Sequence, residues 1–169
     1  RKRCPQSNVE VLPLPIDDSW LRDSGPIIVT DEDGDRAGVD FAFNAWGEAF
    51  SPYRNDAAIS SRILDHLDIE RFIEPMILEG GSIAVDGEGL LVTTEQCLLN
   101  PNRNPDLDRH TIDAELCRAL GVERVVWLDQ GLVEDADTDG HVDNICAFLE
   151  PDRVLLQTVN DPADPNYEG

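Results

Sequence analysis

Ile83-Ala84-Val85-Asp86-Gly87-Glu88-Gly89-Leu90-Leu91-Val92-Thr93-Thr94 decides the fold class, because two apolar β runs flank an acidic, glycine-containing turn. That pattern is a hairpin. Glu79-Gly80-Gly81-Ser82 precedes it, and the Pro/Asn loop Asn100-Pro101-Asn102-Arg103-Asn104-Pro105 breaks the chain after it. A helix is predicted from about Leu107 to Leu120, with Ile112, Leu116 and Leu120 on one face and Gly121 as its stop. Val125 to Leu128 closes the unit as a strand.

The same order occurs upstream. Ile27 to Val29, the turn at Asp31-Glu32-Asp33-Gly34-Asp35 and the return Val39 to Phe43 make a hairpin. Asn55 to Leu67 follows as a helix, with Ile59, Ile63, Leu64 and Leu67 on its apolar face, and Arg71 to Leu78 is the strand. A third unit opens at Gly140, with runs from Ile145 to Leu149 and Val154 to Thr158 around the turn Glu150 to Arg153. Gly25, Gly81 and Gly140 are spaced by 56 and 59 positions. The chain therefore reads as an α/β protein of blade-like repeats, roughly 20–80, 81–139 and a truncated 140–169, in one incomplete domain.

With 41% hydrophobic residues in 169 the chain can bury a core, and a formal charge of −22 argues against nucleic acid or an anionic membrane as partner. Cationic substrates suit it better. Lys2 is the only lysine, so nearly all the basic residues are arginine. Cys4, Cys97, Cys117 and Cys146 show no CxxC spacing and read as reduced thiols of a cytoplasmic protein. No apolar stretch approaches the ~20 residues of a membrane span. Arg1-Lys2-Arg3-Cys4 has neither an initiator methionine nor a signal-peptide core, so the chain reads as a fragment.

Each unit brings polar residues to its central glycine: Trp20, Arg22 and Asp23 from the first, Glu79 and Ser82 from the second, Asp137, His141 and Asp143 from the third. If the units surround an axis, these converge. In an extended backbone His141 and Asp143 would share one face of a strand. Carboxylates grip a guanidinium through paired, charge-assisted hydrogen bonds, and an indole face adds cation–π attraction. Bland readings stand beside these: Trp20 as core, Arg22 with Asp23 as a structural ion pair, His141 as a satisfied turn histidine, and Glu79 undecided.

Asp135, Asp137, Asp139 and Gly140 also match the start of an EF-hand loop, D-x-D-x-D-G. Cys146 stands where the bidentate Glu is required, and neither flank reads as a helix. A calcium module is accordingly the remote alternative. His66, His110 and His141 have no zinc-ligand spacing, and no metal is expected.

Ser19-Trp20-Leu21-Arg22-Asp23-Ser24-Gly25-Pro26, Glu79 to Ile83 with Thr93 to Pro105, and Asp137-Thr138-Asp139-Gly140-His141-Val142-Asp143-Asn144 resemble the agmatine deiminase family. That family also holds the bacterial-type peptidyl-arginine deiminases and belongs to the guanidino-group-modifying superfamily. The resemblance implies a pentein fold, an α/β propeller of five ββαβ units about a pseudo-fivefold axis, with about two and a half units here. It implies hydrolysis of a guanidinium to a ureido group without cofactor, agmatine becoming N-carbamoylputrescine on the way to putrescine. Peptidyl-arginine is the alternative substrate, and a homodimer is the assembly considered. By resemblance Asp23 and Asp143 hold the guanidinium nitrogens and His141 is the general acid/base. Trp20, Arg22, Glu79 and Asp137 are carried as substrate-binding residues, Asp137 towards the substrate's far end.

The family nucleophile is a cysteine in a later Gly-rich segment, which the 169 residues do not contain. Neither Cys97, inside a family motif, nor Cys146, on the apolar side of a strand, is expected to replace it. The isolated chain is therefore expected to be inactive.

Overall fold

A computed structural model describes residues 9–167. Cys4 and Lys2 lie outside the described residues. Two three-stranded sheets of identical construction dominate. In the first, β1 (Ile27–Thr30) pairs antiparallel with β2 (Arg36–Ala42), and β2 pairs parallel with β3 (Glu70–Ile77). In the second, β4 (Ile83–Val85), β5 (Leu90–Thr94) and β6 (Arg124–Leu128) repeat that order and those directions. A two-stranded ribbon, β7 (Cys146–Glu150) with β8 (Arg153–Leu156), follows.

The two hairpins turn by one chemistry. Asp31 accepts from the N–H groups of Asp33 and Asp35 at 3.0 and 2.9 Å, and Asp86 accepts from those of Glu88 and Leu90 at 2.8 and 2.9 Å. A carboxylate that bonds its own following backbone replaces the ladder where the chain reverses. Gly34, Gly87 and Gly89 take the positive φ these turns need.

The helices refine the expected boundaries. Between β2 and β3 a 3-10 turn (Asp56–Ala58) leads into an α-helix (Ile59–Leu67), which buries Ile59 and Leu64 but leaves Leu67 exposed. Between β5 and β6 a helix spans Arg109–Leu120; Asp108 caps its start and Gly121, in the left-handed region, ends it. Two elements escaped the pattern reading. One is a turn, Ala45–Glu48, after β2; the other is a short helix, Glu95–Leu98, after β5. With α1 (Leu21–Ser24), the helical elements in chain order are α1, α2 (Ala45–Glu48), α3 (Ile59–Leu67), α4 (Glu95–Leu98) and α5 (Arg109–Leu120).

One apolar cluster joins the two sheets: Val39, Phe41 and Met76 meet Ile83, Leu91, Leu98, Ile112 and Leu116. All five residues of β5 are buried, as a strand covered on both faces must be. The first and second units therefore share a core, and the loops at one end of both sheets are held in fixed relation. Among the described residues no helix is long and apolar enough to cross a membrane.

Candidate active site

Asp56 starts the site although it does not line it. Its buried carboxylate accepts from the N–H groups of Asp17 and Asp18 at 2.8 and 2.9 Å, which pins the chain entering α1. Asp23 on α1 is then buried, with a donor on each oxygen: Gly81 N at 2.8 Å to Oδ1 and Trp46 Nε1 at 3.1 Å to Oδ2. Each oxygen keeps a lone pair for a further donor. Arg22 does not pair with Asp23; its Nη2 donates to the Ile83 carbonyl at 3.3 Å.

His141 and Asp143 are not on a strand. Gly140 at φ +80° turns the chain, and Val142–Asn144 forms a 3-10 turn before β7 begins. Asp135 builds this loop. Its carboxylate accepts from Thr138 N at 3.0 Å, His141 N at 3.1 Å, Asn144 Nδ2 at 3.0 Å and the Thr138 hydroxyl. The Gly140 carbonyl accepts from Thr94 Oγ1 at 2.7 Å, which seats the loop on β5.

These loops meet around Gly81. A Cβ placed there would lie 2.6 Å from Asp23 Oδ1, 2.6 Å from His141 Nδ1 and 2.8 Å from Asp143 Oδ2, so only glycine leaves room for all three groups. His141 Nδ1 is 3.7 Å from Asp23 Oδ1. The three converge on a pocket of about 330 Å³ whose wall includes Trp20, Trp46, Phe50, Arg22, Asp18 and Asp137. Trp20 is 60% exposed, which removes it from the core and puts it at the mouth. A larger cleft of about 500 Å³ along β1 and β4 carries no carboxylate or imidazole, only Arg22.

The electrostatics of the pocket favour a bound cation. Burial, and then the neighbouring Asp23 carboxylate, raise the Asp143 carboxyl above its ordinary value, with Arg22 opposing. Among the described residues its carboxylate accepts no hydrogen bond. Burial lowers His141, against Asp23, which favours the imidazolium. Two neighbouring carboxylates, one of them raised by the other, are both stabilised when a cation joins them.

Glu79 does not line this pocket. Expected at the substrate, it has no exposed side-chain surface, and its Oε1 accepts from Arg103 Nε at 2.7 Å. Glu79 Oε2 and His141 Nε2 are both buried without a partner, and donor atoms of Glu79, Cys97 and His141 lie within 4.8 Å of one another. That trio has a ligand-like spacing which histidine spacing alone could not reveal. Arg103 already sits on the Glu79 carboxylate, and burial drives the Cys97 thiol far up, so the trio's charge is met from within the protein.

The calcium alternative fails on the same ground. Asp135 is saturated by its own loop, and Asp139 Oδ2 accepts from Arg103 Nη1 at 2.7 Å and Asn102 Nδ2 at 2.9 Å, so the loop's acids do not converge on a cation. Trp46 and Arg103 are the site residues that sequence reading missed. Trp46 lies in a turn without helical or strand periodicity, and Arg103 in a polar loop that reads as solvated.

The family model described as Porphyromonas-type peptidyl-arginine deiminase matches residues 1–169. Agmatine deiminase of Pseudomonas fluorescens is 48% identical over 172 residues, covering 99% of this chain and 46% of the relative. Agmatine deiminase of Pseudomonas putida is 46% identical with the same coverage. Among solved structures, agmatine deiminase of Enterococcus faecalis superposes with a TM-score of 0.87 at 38% identity, over 92% of this chain and 44% of that one. A substrate-bound agmatine deiminase of C. jejuni gives 0.87 at 35% identity, over 95% and 48%. The chain thus spans about half the length of the relatives it matches. On the strength of a match along its whole length, the chain belongs to the Porphyromonas-type peptidyl-arginine deiminase family.

Proposed function

We propose that this chain supplies the guanidinium-binding half of a deiminase site that hydrolyses agmatine to a ureido product and ammonia. The observation that carries the reading is the meeting of Asp23, His141 and Asp143 around Gly81 at the pocket. Its two like sheets and third hairpin fit an α/β propeller of ββαβ units, with units near 20–80, 81–139 and 140–169 as blades of a pentein. The relatives' name supports agmatine over peptidyl-arginine. So does the wall: Asp18 and Asp137 add negative charge near the mouth, suited to agmatine's far ammonium.

The guanidinium stays charged at every physiological pH. Asp23 and Asp143 accept its N–H groups, hold it flat, and leave its carbon electron-poor. A thiolate attacks that carbon. The C–N bond breaks as His141 gives the leaving nitrogen its proton, and ammonia departs. Water then attacks the S-bound carbon, His141 takes its proton, and the C–S bond breaks to give the ureido group and the thiolate. Cys97, with no exposure, and Cys146, whose thiol burial pushes up, are poor candidates for the thiol. We assign it to a residue beyond these three units.

The test is a steady-state assay of a protein of the relatives' full length carrying this chain, on agmatine, free arginine and a C-terminal arginyl peptide. Ammonia release from agmatine with the highest kcat/KM is expected. Citrulline formed in the peptide with agmatine inert would transfer the assignment to the peptidyl substrate, and no turnover of any of the three would end it.

A further inference from the structure

Arg103 does not itself line the pocket, yet it is among the most deeply buried large side chains in the molecule, at 2% exposure. Every arm of its guanidinium is engaged. Nε donates to Glu79 Oε1 at 2.7 Å, Nη1 to Asp139 Oδ2 and Asn102 Oδ1 at 2.7 Å each, and Nη2 to the Thr138 carbonyl at 3.1 Å. Burying a guanidinium costs several kcal/mol unless its partners are arranged for it, and apolar packing commonly serves stability as well. Stability alone is therefore a weak account of Arg103.

Its partners suggest a better one. Thr138 and Asp139 precede Gly140 and His141, so Arg103 holds the start of the loop that presents the imidazole. Glu79 stands between Arg103 and His141: one carboxylate oxygen meets the guanidinium, and the other, unpartnered, lies in the same buried space as the unpartnered His141 Nε2. Asn102, beside Arg103, donates to Asp139 Oδ2 and accepts through its carbonyl from Asn44 Nδ2 at 2.9 Å, which extends the framework to the turn that carries Trp46.

We propose that Arg103 is a positioning residue of the deiminase reaction, fixing Glu79 behind His141 and locking the 138–141 loop so that the imidazole exchanges its proton at the correct place. This rests on the deiminase reading above. The charge consequence has a definite sign. His141 faces Asp23, Asp135, Asp139, Asp143, Glu79, Cys97 and Arg103, and Arg103 is the positive member that disfavours proton uptake by both His141 and Glu79. Removing it strengthens the hold of the pair on a proton, and it also frees Asp139, which acts in the same direction.

The experiment uses the full-length protein and agmatine. Arg103→Met is expected to lower kcat about tenfold or more with KM within about threefold, and to move the alkaline limb of kcat/KM, set by the protonated His141 that the first step needs, upward by about half a pH unit or more. Arg103→Lys keeps the charge but cannot span the four partners; it should lower kcat while its limb stays within about 0.3 unit of wild type. An unmoved limb in a folded Arg103→Met protein, or a wild-type kcat in Arg103→Lys, overturns the proposal. If Arg103→Met does not fold, the Lys variant decides alone: its lowered kcat with the wild-type limb supports the proposal, and any other result overturns it. A wild-type protein inert on agmatine defeats the functional reading instead, so the two failures are distinguishable.

Discussion

The segments that leave the middle strands of the two sheets have the same cap and opposite hands. After β2, Asn44 Oδ1 accepts from Gly47 N at 2.9 Å; after β5, Thr94 Oγ1 accepts from Cys97 N at 3.3 Å. From those matching caps α4 continues right-handed, whereas α2 has φ of +55° at Ala45, +56° at Trp46, +81° at Gly47 and +63° at Glu48. Left-handed backbone costs about 1–2 kcal/mol at each non-glycine residue. What offsets it is Trp46. The indole is buried, packs edge-on against Phe43 and Phe50 at centroid distances of 5.2 and 5.5 Å, and donates to Asp23. The right-handed counterpart sends Cys97 and Leu98 into the core instead. Two units with one frame thus diverge in their connections: strain collects where the chain serves the pocket, and regular helix stands where it serves packing.

The largest expected effect lies where the two units meet. Gly81→Ala places a methyl among Asp23, His141 and Asp143, and full-length activity on agmatine should fall about 1,000-fold or more, over 4 kcal/mol in the barrier. His141→Ala and Asp143→Ala should also abolish turnover with far-ultraviolet circular dichroism unchanged. Near-normal ammonia release from any of the three would remove the site from this place.

Next come the two connections themselves. Leu98→Ala in α4 should cost about 2–5 kcal/mol of stability in denaturant melts while kcat per folded molecule holds. Trp46→Phe in α2 keeps the aromatic packing but loses one hydrogen bond to a charged group, so it should lower kcat/KM about tenfold and cost about 1.5 kcal/mol of stability, less than Leu98→Ala. If Leu98→Ala depresses kcat or Trp46→Phe only stability, the division of labour between the turns is wrong.

Pattern reading found what repeats and missed what does not. Alternation and turn residues predicted both hairpins, and the apolar face of α5 with Gly121 predicted that helix and its end, because these depend on neighbours in sequence. Asp23, His141 and Asp143 could be drawn together because the repeat gave each unit one glycine at the same place. The pose of His141 could not, since a loop organised by Asp135 overrides the extended backbone that the apolar run after it suggests. Ala45 and Trp46 have no propensity for left-handed backbone; the buried indole, packed on Phe43 and Phe50 and bonded to Asp23, explains their conformation. Arg103 hides in an Asn- and Pro-rich stretch whose partners, Glu79 and Asp139, are 24 and 36 positions away.

Two carboxylates of the loop around Gly140 should respond oppositely to acid. Burial raises the Asp135 carboxyl, but its bonds from Thr138, His141 and Asn144 together outweigh burial and hold it below the ordinary carboxylate value, so its stabilisation is complete above that value and fades as pH falls through the lower, folded one. Asp143 is raised, so its ionisation works against the fold as pH climbs through the carboxylate range, until a guanidinium binds. Asp135→Asn should cost about 1–2 kcal/mol at neutral pH and progressively less as pH falls below the ordinary carboxylate value, whereas Asp143→Asn should leave stability unchanged or raise it at neutral pH. Equal responses in melts across that range would contradict the assignment.

The smallest effect gives the closest test of handedness. Ala45 and Glu95 are the first residues after the two caps, so glycine at each asks the same question of opposite backbones. At position 45 the substitution relieves about 1–2 kcal/mol of left-handed strain. It adds about 0.5–1 kcal/mol of chain entropy lost on folding. The difference favours a slightly more stable Ala45→Gly protein, by about 0.5–1 kcal/mol, read as a small rise in the denaturation midpoint. Glu95→Gly has no strain to relieve; it loses about 1 kcal/mol of helix propensity and an exposed ion pair with Arg109 that contributes little. Opposite signs at these two positions are required if the turn is held left-handed by Trp46 and Asp23 rather than by its own residues. In a Trp46→Phe background the gain from Ala45→Gly should persist, because the strain stays with the backbone while its compensation has weakened.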